Sequence, residues 1–133
     1  MRFSEPFHLL TGLWGEGEAE RFLTAKGYKI LSRRFRVTVR DEVDLIARDG
    51  DILVFVEVKT RKTESYGRPL SAVDRKKSHV MSRAAIRYLK KLGDPVTFRF
   101  DVIEVIGRRV SGNPEIRHIE NAFQLDRCYA LPW

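Results

Sequence analysis

Residues 40–61, RDEVDLIARDGDILVFVEVKTR, hold the pattern that decides the fold. Two apolar runs flank Asp49-Gly50, a dipeptide of the kind that closes a two-residue hairpin turn. With that pair as the turn, Arg48 opposes Asp51, and Val43, Leu45 and Ala47 oppose Val56, Val54 and Ile52 on one wholly apolar face. On the other face Ile46 meets Leu53, Asp44 meets Phe55, and Glu42 meets Glu57. A register shifted by one would set apolar residues against charged ones, so the sorting favours this turn or a loop of the same parity. Asp44 and Glu57 are then diagonal neighbours, and Lys59 follows Glu57 on the same face. Carboxylates that close repel unless something positive lies between them. Lys59 supplies part of that charge. A divalent cation would supply the rest, and Mg²⁺ is usually held by one or two carboxylates with water and substrate phosphate. The ordinary reading of a single Glu-x-Lys is a strand tip emerging into solvent. Two strands with matched faces weaken that reading.

The chain on either side supplies partners for this hairpin. Residues 10–26 carry Gly15, Ala19, Phe22, Leu23 and Lys26 at helical spacing, and Gly27 is a good helix stop. Glu16 sits at the edge of that stripe. Residues 28–39 read as a strand with Lys29, Arg33, Arg34 and Arg36 in it, and Arg40 follows. Residues 62–69 read as a loop, 70–92 as a second helix stopped by Gly-Asp-Pro, and 96–106 as a fourth strand. After a polar turn, Glu115–Ile119 reads as a fifth short strand. The expected fold is α/β: a central mixed β-sheet flanked by helices, in the order α-β-β-β-α-β.

The bulk properties bound the function. The chain has 133 residues, enough for one domain with a sizeable core and too few for two, so residues 1–133 are expected to form a single domain. Twenty-five Lys and Arg against eighteen Asp and Glu give a formal charge of +7. That excess points to a polyanionic partner, most simply nucleic acid; a basic surface that serves solubility is the plain alternative. Cys128 is the only cysteine, so neither an internal disulfide nor a thiolate zinc site is expected. The first twenty residues lack a continuous apolar core of a signal peptide, and no run approaches the roughly 18 apolar residues of a membrane span. A cytoplasmic protein without a membrane partner is expected.

Asp44 followed by Glu57-Val58-Lys59 resembles the Asp…Glu-x-Lys core of the restriction-endonuclease-like nucleases. The wider series is similar to the YraN-type family of small uncharacterised bacterial proteins, which resemble Holliday-junction resolvases. It comprises GLWGEGEAERFL, GYKILSRRFR, DEVDLIARDGDILVFVEVKTR, YGRPLSAVDRKK, FRFDVIEV and HIENAF, in that order over nearly the whole chain. The resemblance implies a restriction-endonuclease-like fold and a metal-dependent endonuclease acting on DNA, branched DNA included. It implies that Asp44 and Glu57 hold Mg²⁺ or Mn²⁺, that Lys59 orients water or stabilises phosphate charge, and that Glu16 is an added acid. It also matches Glu42 and Lys77 to family positions, as additional site candidates. Three positions depart from the pattern: Asp41 where Gly is usual, Val43 where Pro is frequent, and Arg34 where Asn is usual. None removes an expected ligand, but Asp41 adds negative charge beside the site. Resolvase-like members tend to be dimers, so the resemblance admits a homodimer.

Phosphodiester cleavage needs an activated water and relief of charge on the phosphoryl oxygens, and a divalent ion supplies both. Carboxylate oxygens suit hard cations. The role of Lys59 stays open between base and electrostatic stabiliser. Lys77 shares a helical stripe with Val73, Met81, Ala84 and Tyr88, from which it either reaches the acids or snorkels to water. Arg33, Arg34, Arg36, Arg40, Arg61 and Lys62 are the candidate phosphate contacts, because positioning contacts to nucleic acid come mostly from Arg and Lys. Tyr66 and Arg68 follow in the loop. Arg99 and Asp101 read as a structural ion pair, and His118 as a packing or turn residue. Two further functions fit the sequence: a nucleic-acid-binding module of the same fold with little or no catalysis, and a protein-interaction domain for an acidic partner.

Overall fold

The structure is a computed structural model that describes residues 4–39, 41–62 and 75–133, with side chains from residue 10 onward. Helix α1 (Ser4–Ala25) leads into strands β1 (Lys29–Arg36), β2 (Glu42–Asp49) and β3 (Ile52–Arg61). Helix α2 (Arg75–Leu92) crosses over to β4 (Thr97–Ile106), and β5 (Glu115–Phe123) completes the sheet. The strands lie in the order β1-β2-β3-β4-β5. Only the β3–β4 pair is parallel, as expected of strands joined through a helix. This is the mixed, helix-flanked α/β sheet expected from the sequence. The fifth strand is longer than expected because it pairs with β4 as far as Phe123 opposite Phe100.

The hairpin differs from the sequence reading in one respect. Asp49 pairs with Ile52, Ala47 with Val54 and Leu45 with Val56, so Gly50-Asp51 is the turn rather than Asp49-Gly50. Gly50, at φ 60°, takes the first central position, where primed hairpin turns need a positive φ. The pairing slips by two residues, not one, and the faces are therefore kept. Arg48 faces Leu53, and the expected opposition of Arg48 to Asp51 does not form.

Among the described residues each sheet face carries one helix. Leu45, Ala47, Val54, Val56, Ile103 and Val105 pack under Ala19 and Leu23 of α1. Ile46, Leu53, Phe55 and Phe100 pack under Met81, Ala84, Ala85 and Leu89 of α2. Val43 joins the α2 side, not the face of Leu45 to which strict alternation assigned it. Alternation therefore breaks around Asp44. In the neighbouring strand Phe35 opposes Val43 and Arg33 opposes Leu45, and Arg34 between them has φ 54°. The irregularity falls at the residues that form the site.

Helix α1 stops as its sequence dictates. Gly27 has φ 96°, Tyr28 N donates to Leu23 O, and Gly27 N donates to Thr24 O, the paired bonds of a Schellman cap. Its seat on the sheet is set by Gly15, where an added Cβ would lie 2.1 Å from Thr60 Oγ1. Gly15→Ala is expected to cost about 1–3 kcal/mol through overpacking, despite the better helix propensity of alanine. Denaturant melts of Gly15→Ala, Thr60→Ala and the double variant check this. The double variant should recover most of the loss, and simple additivity would refute the contact as its cause. No helix among the described residues is long and apolar enough to cross a membrane.

Candidate functional site

The site forms where β2 and β3 part. Their ladder runs from Asp49–Ile52 to Leu45–Val56. One step further, in the same register, Asp44 stands opposite Glu57. The amide of Val58, which would otherwise continue the ladder toward Val43, donates to Asp44 Oδ2 at 2.8 Å. The carboxylate thus replaces a strand as hydrogen-bond partner. It fills the mouth of the parting strands and is fixed there by backbone.

Glu57 is buried, 6% exposed, on the α2 side of the sheet. Its Oε1 lies 3.3 Å from Lys77 Nζ, and its Oε2 lies 4.0 Å from Lys59 Nζ. Oε1 is fully shielded from solvent yet accepts no hydrogen bond, so the Lys77 contact is a charge contact rather than a bond. Lys77 therefore reaches inward from α2 toward the acids. A carboxylate oxygen buried without a hydrogen bond is costly unless positive charge stands beside it, and Lys77 supplies such charge here.

Asp44 meets a second set of acids on its other side. Glu16 of α1, Glu42 and Asp44 each offer an oxygen within 4.8 Å of the others. Burial and the charge of Glu57 push Asp44 up to about 7, against the pull of the Val58 amide and Lys77. Burial also raises Glu16; its hydrogen bond from Arg34 opposes this, while the charges of Asp44 and Glu42 add to it. Four carboxylates thus converge, with Asp44 common to both groups. The oxygen-only donor set and the shielded Glu57 oxygen fit a hard divalent cation. Asp44 and Glu57 are the residues that could hold it, and Glu16 and Glu42 could join.

The basic residues are arranged in another way than a row of waiting phosphate contacts. Arg33 donates to Glu20 Oε1 and Oε2 at 2.8 and 2.5 Å. Arg34 Nε donates to Glu16 Oε1 at 2.9 Å, and Arg36 Nε to Glu42 Oε1 at 2.7 Å. Three arginines of the edge strand β1 are therefore tied to three acids, two of them in the acidic group. Arg61 Nε lies 3.2 Å from Glu104 Oε2, and Glu104 is itself buried, beside Lys59 in the β3–β4 register. Lys62 is exposed at the end of β3. Arg40, Tyr66 and Arg68 lie outside the described residues. Asp41, the extra acid, is turned away to Arg83 of α2 at 2.7 Å. Its charge is met there, which answers the concern that it would burden the site.

Sequence reasoning brought Asp44, Glu57, Lys59 and Glu16 forward, and the structure assembles all four. It had no role for Glu42, which stands in the same group as Glu16 and Asp44. It missed Glu104, whose burial inside the apolar run of β4 was the only available signal.

A family model described as "Uncharacterised protein family UPF0102" matches residues 15–105, a span that contains Glu16, Glu42, Asp44, Glu57, Lys59 and Lys77. A UPF0102 protein of Chlorobaculum tepidum is 44% identical over 119 residues, covering 86% of this chain and 92% of the relative. One of Symbiobacterium thermophilum is 48% identical over 110 residues, covering 82% and 92%. One of Clostridium acetobutylicum is 44% identical over 115 residues, covering 86% and 93%.

Proposed function

The chain belongs to the uncharacterised protein family UPF0102, and from that premise and its acidic cleft we propose that it is a metal-dependent endonuclease. The reading takes the fold as restriction-endonuclease-like, the substrate as DNA with branched or structured DNA foremost, and the cation as Mg²⁺ or Mn²⁺. The observation that carries it is the meeting of Asp44 and Glu57 at the parting of β2 and β3, with Lys59 and Lys77 against Glu57.

When bound, a divalent cation supplies a water of lowered pKa and neutralises charge on the phosphoryl oxygens. The chain supplies the rest. Asp44 and Glu57 would hold the cation, and the Val58 amide on Asp44 Oδ2 sets the orientation of that carboxylate before anything binds. Glu16 and Glu42 add oxygens on the α1 side. Lys59, about a quarter exposed, stands at the rim of the cleft, where its ammonium can meet a phosphoryl oxygen or orient the attacking water. Lys77 offsets the charge of Glu57 from α2. Arg33, Arg36 and Lys62 present the outer positive surface, and a phosphate backbone would compete for the first two with Glu20 and Glu42.

The test uses four-way-junction, linear duplex and single-stranded DNA with Mg²⁺ or Mn²⁺. Wild type is expected to cut at least one, the junction first. Lys59→Ala is expected to bind DNA as wild type does but cleave about 10²–10³-fold more slowly, the range for removal of one charge-stabilising group. If wild type binds all three substrates with a salt-dependent affinity and cuts none, the nuclease reading fails and a nucleic-acid-binding module stands in its place.

A further inference from the structure

The cleft leaves one constellation of side chains unused. After β5 the chain folds back over α2. Asp126 N donates to Ser82 Oγ at 2.9 Å, Cys128 N to Asp126 Oδ1 at 3.1 Å, and Tyr129 N to Asp126 O at 3.1 Å. This tight turn sets two side chains against one ring nitrogen of His79. Asp126 Oδ2 lies 3.1 Å from Nδ1, and Cys128 Sγ lies 3.7 Å from the same atom. The other ring nitrogen, Nε2, is 3.1 Å from the Tyr129 hydroxyl. One donor atom from each of His79, Asp126 and Cys128 lies within 4.8 Å of the other two.

Two kinds of chemistry use Cys, His and Asp together, and the geometry separates them. A nucleophilic relay needs the thiol at one ring nitrogen and the carboxylate at the other. Here both crowd Nδ1. A cation site needs the opposite of a relay: several donors converging on one point. Three protein donors with water in the fourth place is a standard tetrahedral arrangement. The ring nitrogen not used for ligation is then held by a hydrogen-bond partner that fixes the ring. The Tyr129 hydroxyl occupies that position.

We propose that His79, Asp126 and Cys128 form a second cation site, which takes a borderline ion of the Zn²⁺ type through one nitrogen, one oxygen and one sulfur. The donor set discriminates against Mg²⁺, which demands oxygen ligands. Ligation through Nδ1 leaves the imidazole neutral with its proton on Nε2, where the Tyr129 hydroxyl oxygen can accept it. The thiol proton leaves to solvent as the ion enters. The bound ion ties the C-terminal segment to α2 on the turn next to Arg83, whose guanidinium holds Asp41. It therefore stiffens the helix that presents Lys77. His79 lies within residues 15–105, the span of the family model, and Asp126 and Cys128 lie beyond it.

The test is a titration of metal-stripped full-length protein with Co²⁺, whose spectrum reports thiolate ligation and tetrahedral geometry. One equivalent is expected to produce a thiolate-to-cobalt charge-transfer band in the near ultraviolet. Zn²⁺ should abolish it, and a large excess of Mg²⁺ should not. Tyr129→Phe is expected to keep the band and weaken affinity about 10-fold or more, the usual effect of removing a partner of a ligating histidine. Asp44→Asn should leave the titration unchanged. The proposal is overturned if wild type shows no such band, if Cys128→Ser keeps it, or if Mg²⁺ competes for it.

Discussion

Asp44→Asn is expected to make the cation-free protein more stable at pH 8, by about 2–4 kcal/mol, while abolishing cleavage. In the folded state Asp44 is pushed up to about 7 by burial and by Glu57, from 3.8. A raised carboxyl means that the folded state binds its proton more tightly than the unfolded chain does. Its contribution favours folding below the unfolded value and turns into a cost as pH climbs through the folded one. A shift of one unit corresponds to about 1.4 kcal/mol, and sharing of the charge with Glu57 reduces the full three-unit figure. Asparagine keeps the acceptor for Val58 N and carries no charge, so the cost vanishes. Melts should show the variant about 7–14 °C higher at pH 8 for a chain of this size, with the difference closing toward pH 4. Mg²⁺ should raise the melting temperature of wild type at pH 8 and leave Asp44→Asn unmoved. A variant less stable than wild type at pH 8 would refute the account of Asp44 as a strained charge. Function at such a site is maintained against stability, as preorganised sites commonly are.

The opposite sign holds for Asp101. Its carboxylate is fully buried and accepts from Arg99 Nε at 2.9 Å, Arg99 Nη2 at 3.3 Å, His118 Nε2 at 2.7 Å and Asn121 N at 3.0 Å. Arg99 also donates to the Tyr28 hydroxyl at 2.6 Å, so the network ties the exit of α1 to β4 and β5. Asp101→Ala is expected to lower stability by roughly 3–5 kcal/mol, because it strands a guanidinium, an imidazole and an amide. Asp101→Asn should fall between. Burial pushes Asp101 up, but the bonds from His118, Arg99 and Asn121 outweigh it and hold the carboxyl below its ordinary value. A lowered carboxyl stabilises the fold above its unfolded value, and that support is lost as pH falls through the folded one. Urea melts of wild type and variant across the acid range check both magnitude and sign. An Asp101→Ala protein within 1 kcal/mol of wild type would remove the network from the account of the fold.

Much of this was legible in the sequence, for reasons that differ by residue. Alternation in the hairpin fixed which residues share a face, because that depends on parity and not on the turn. It did not fix the turn itself. Asp49-Gly50 and Gly50-Asp51 both satisfy a two-residue loop, and the first central position of a primed turn suits Gly50 better. Asp44 and Glu57 are consequently closer than diagonal neighbours. Val43 could not be placed, since alternation breaks at Asp44, and no pattern of period two reports its own interruption. The tethering of Arg33, Arg34 and Arg36 was hidden for a similar reason: their acids come from α1 and β2, and a helix rotation is not written in a strand. His79 drew no notice beside residues 126–128, because a segment without periodicity offers no means of placing it against α2. The Arg99–Asp101 pair was legible, being two residues apart on one strand.

The hairpin constrains where this protein can change in length. Gly50-Asp51 lies at the far end of β2 and β3 from the acids, so residues gained there lengthen the loop and leave the ladder from Asp49–Ile52 to Leu45–Val56 as it is. A residue gained or lost within 45–49 or 52–56 is different. Unless a bulge absorbs it, every side chain beyond it moves to the other face, and Asp44 or Glu57 moves with them. Length is free at the turn and fixed in the two stretches that carry the acids to the mouth.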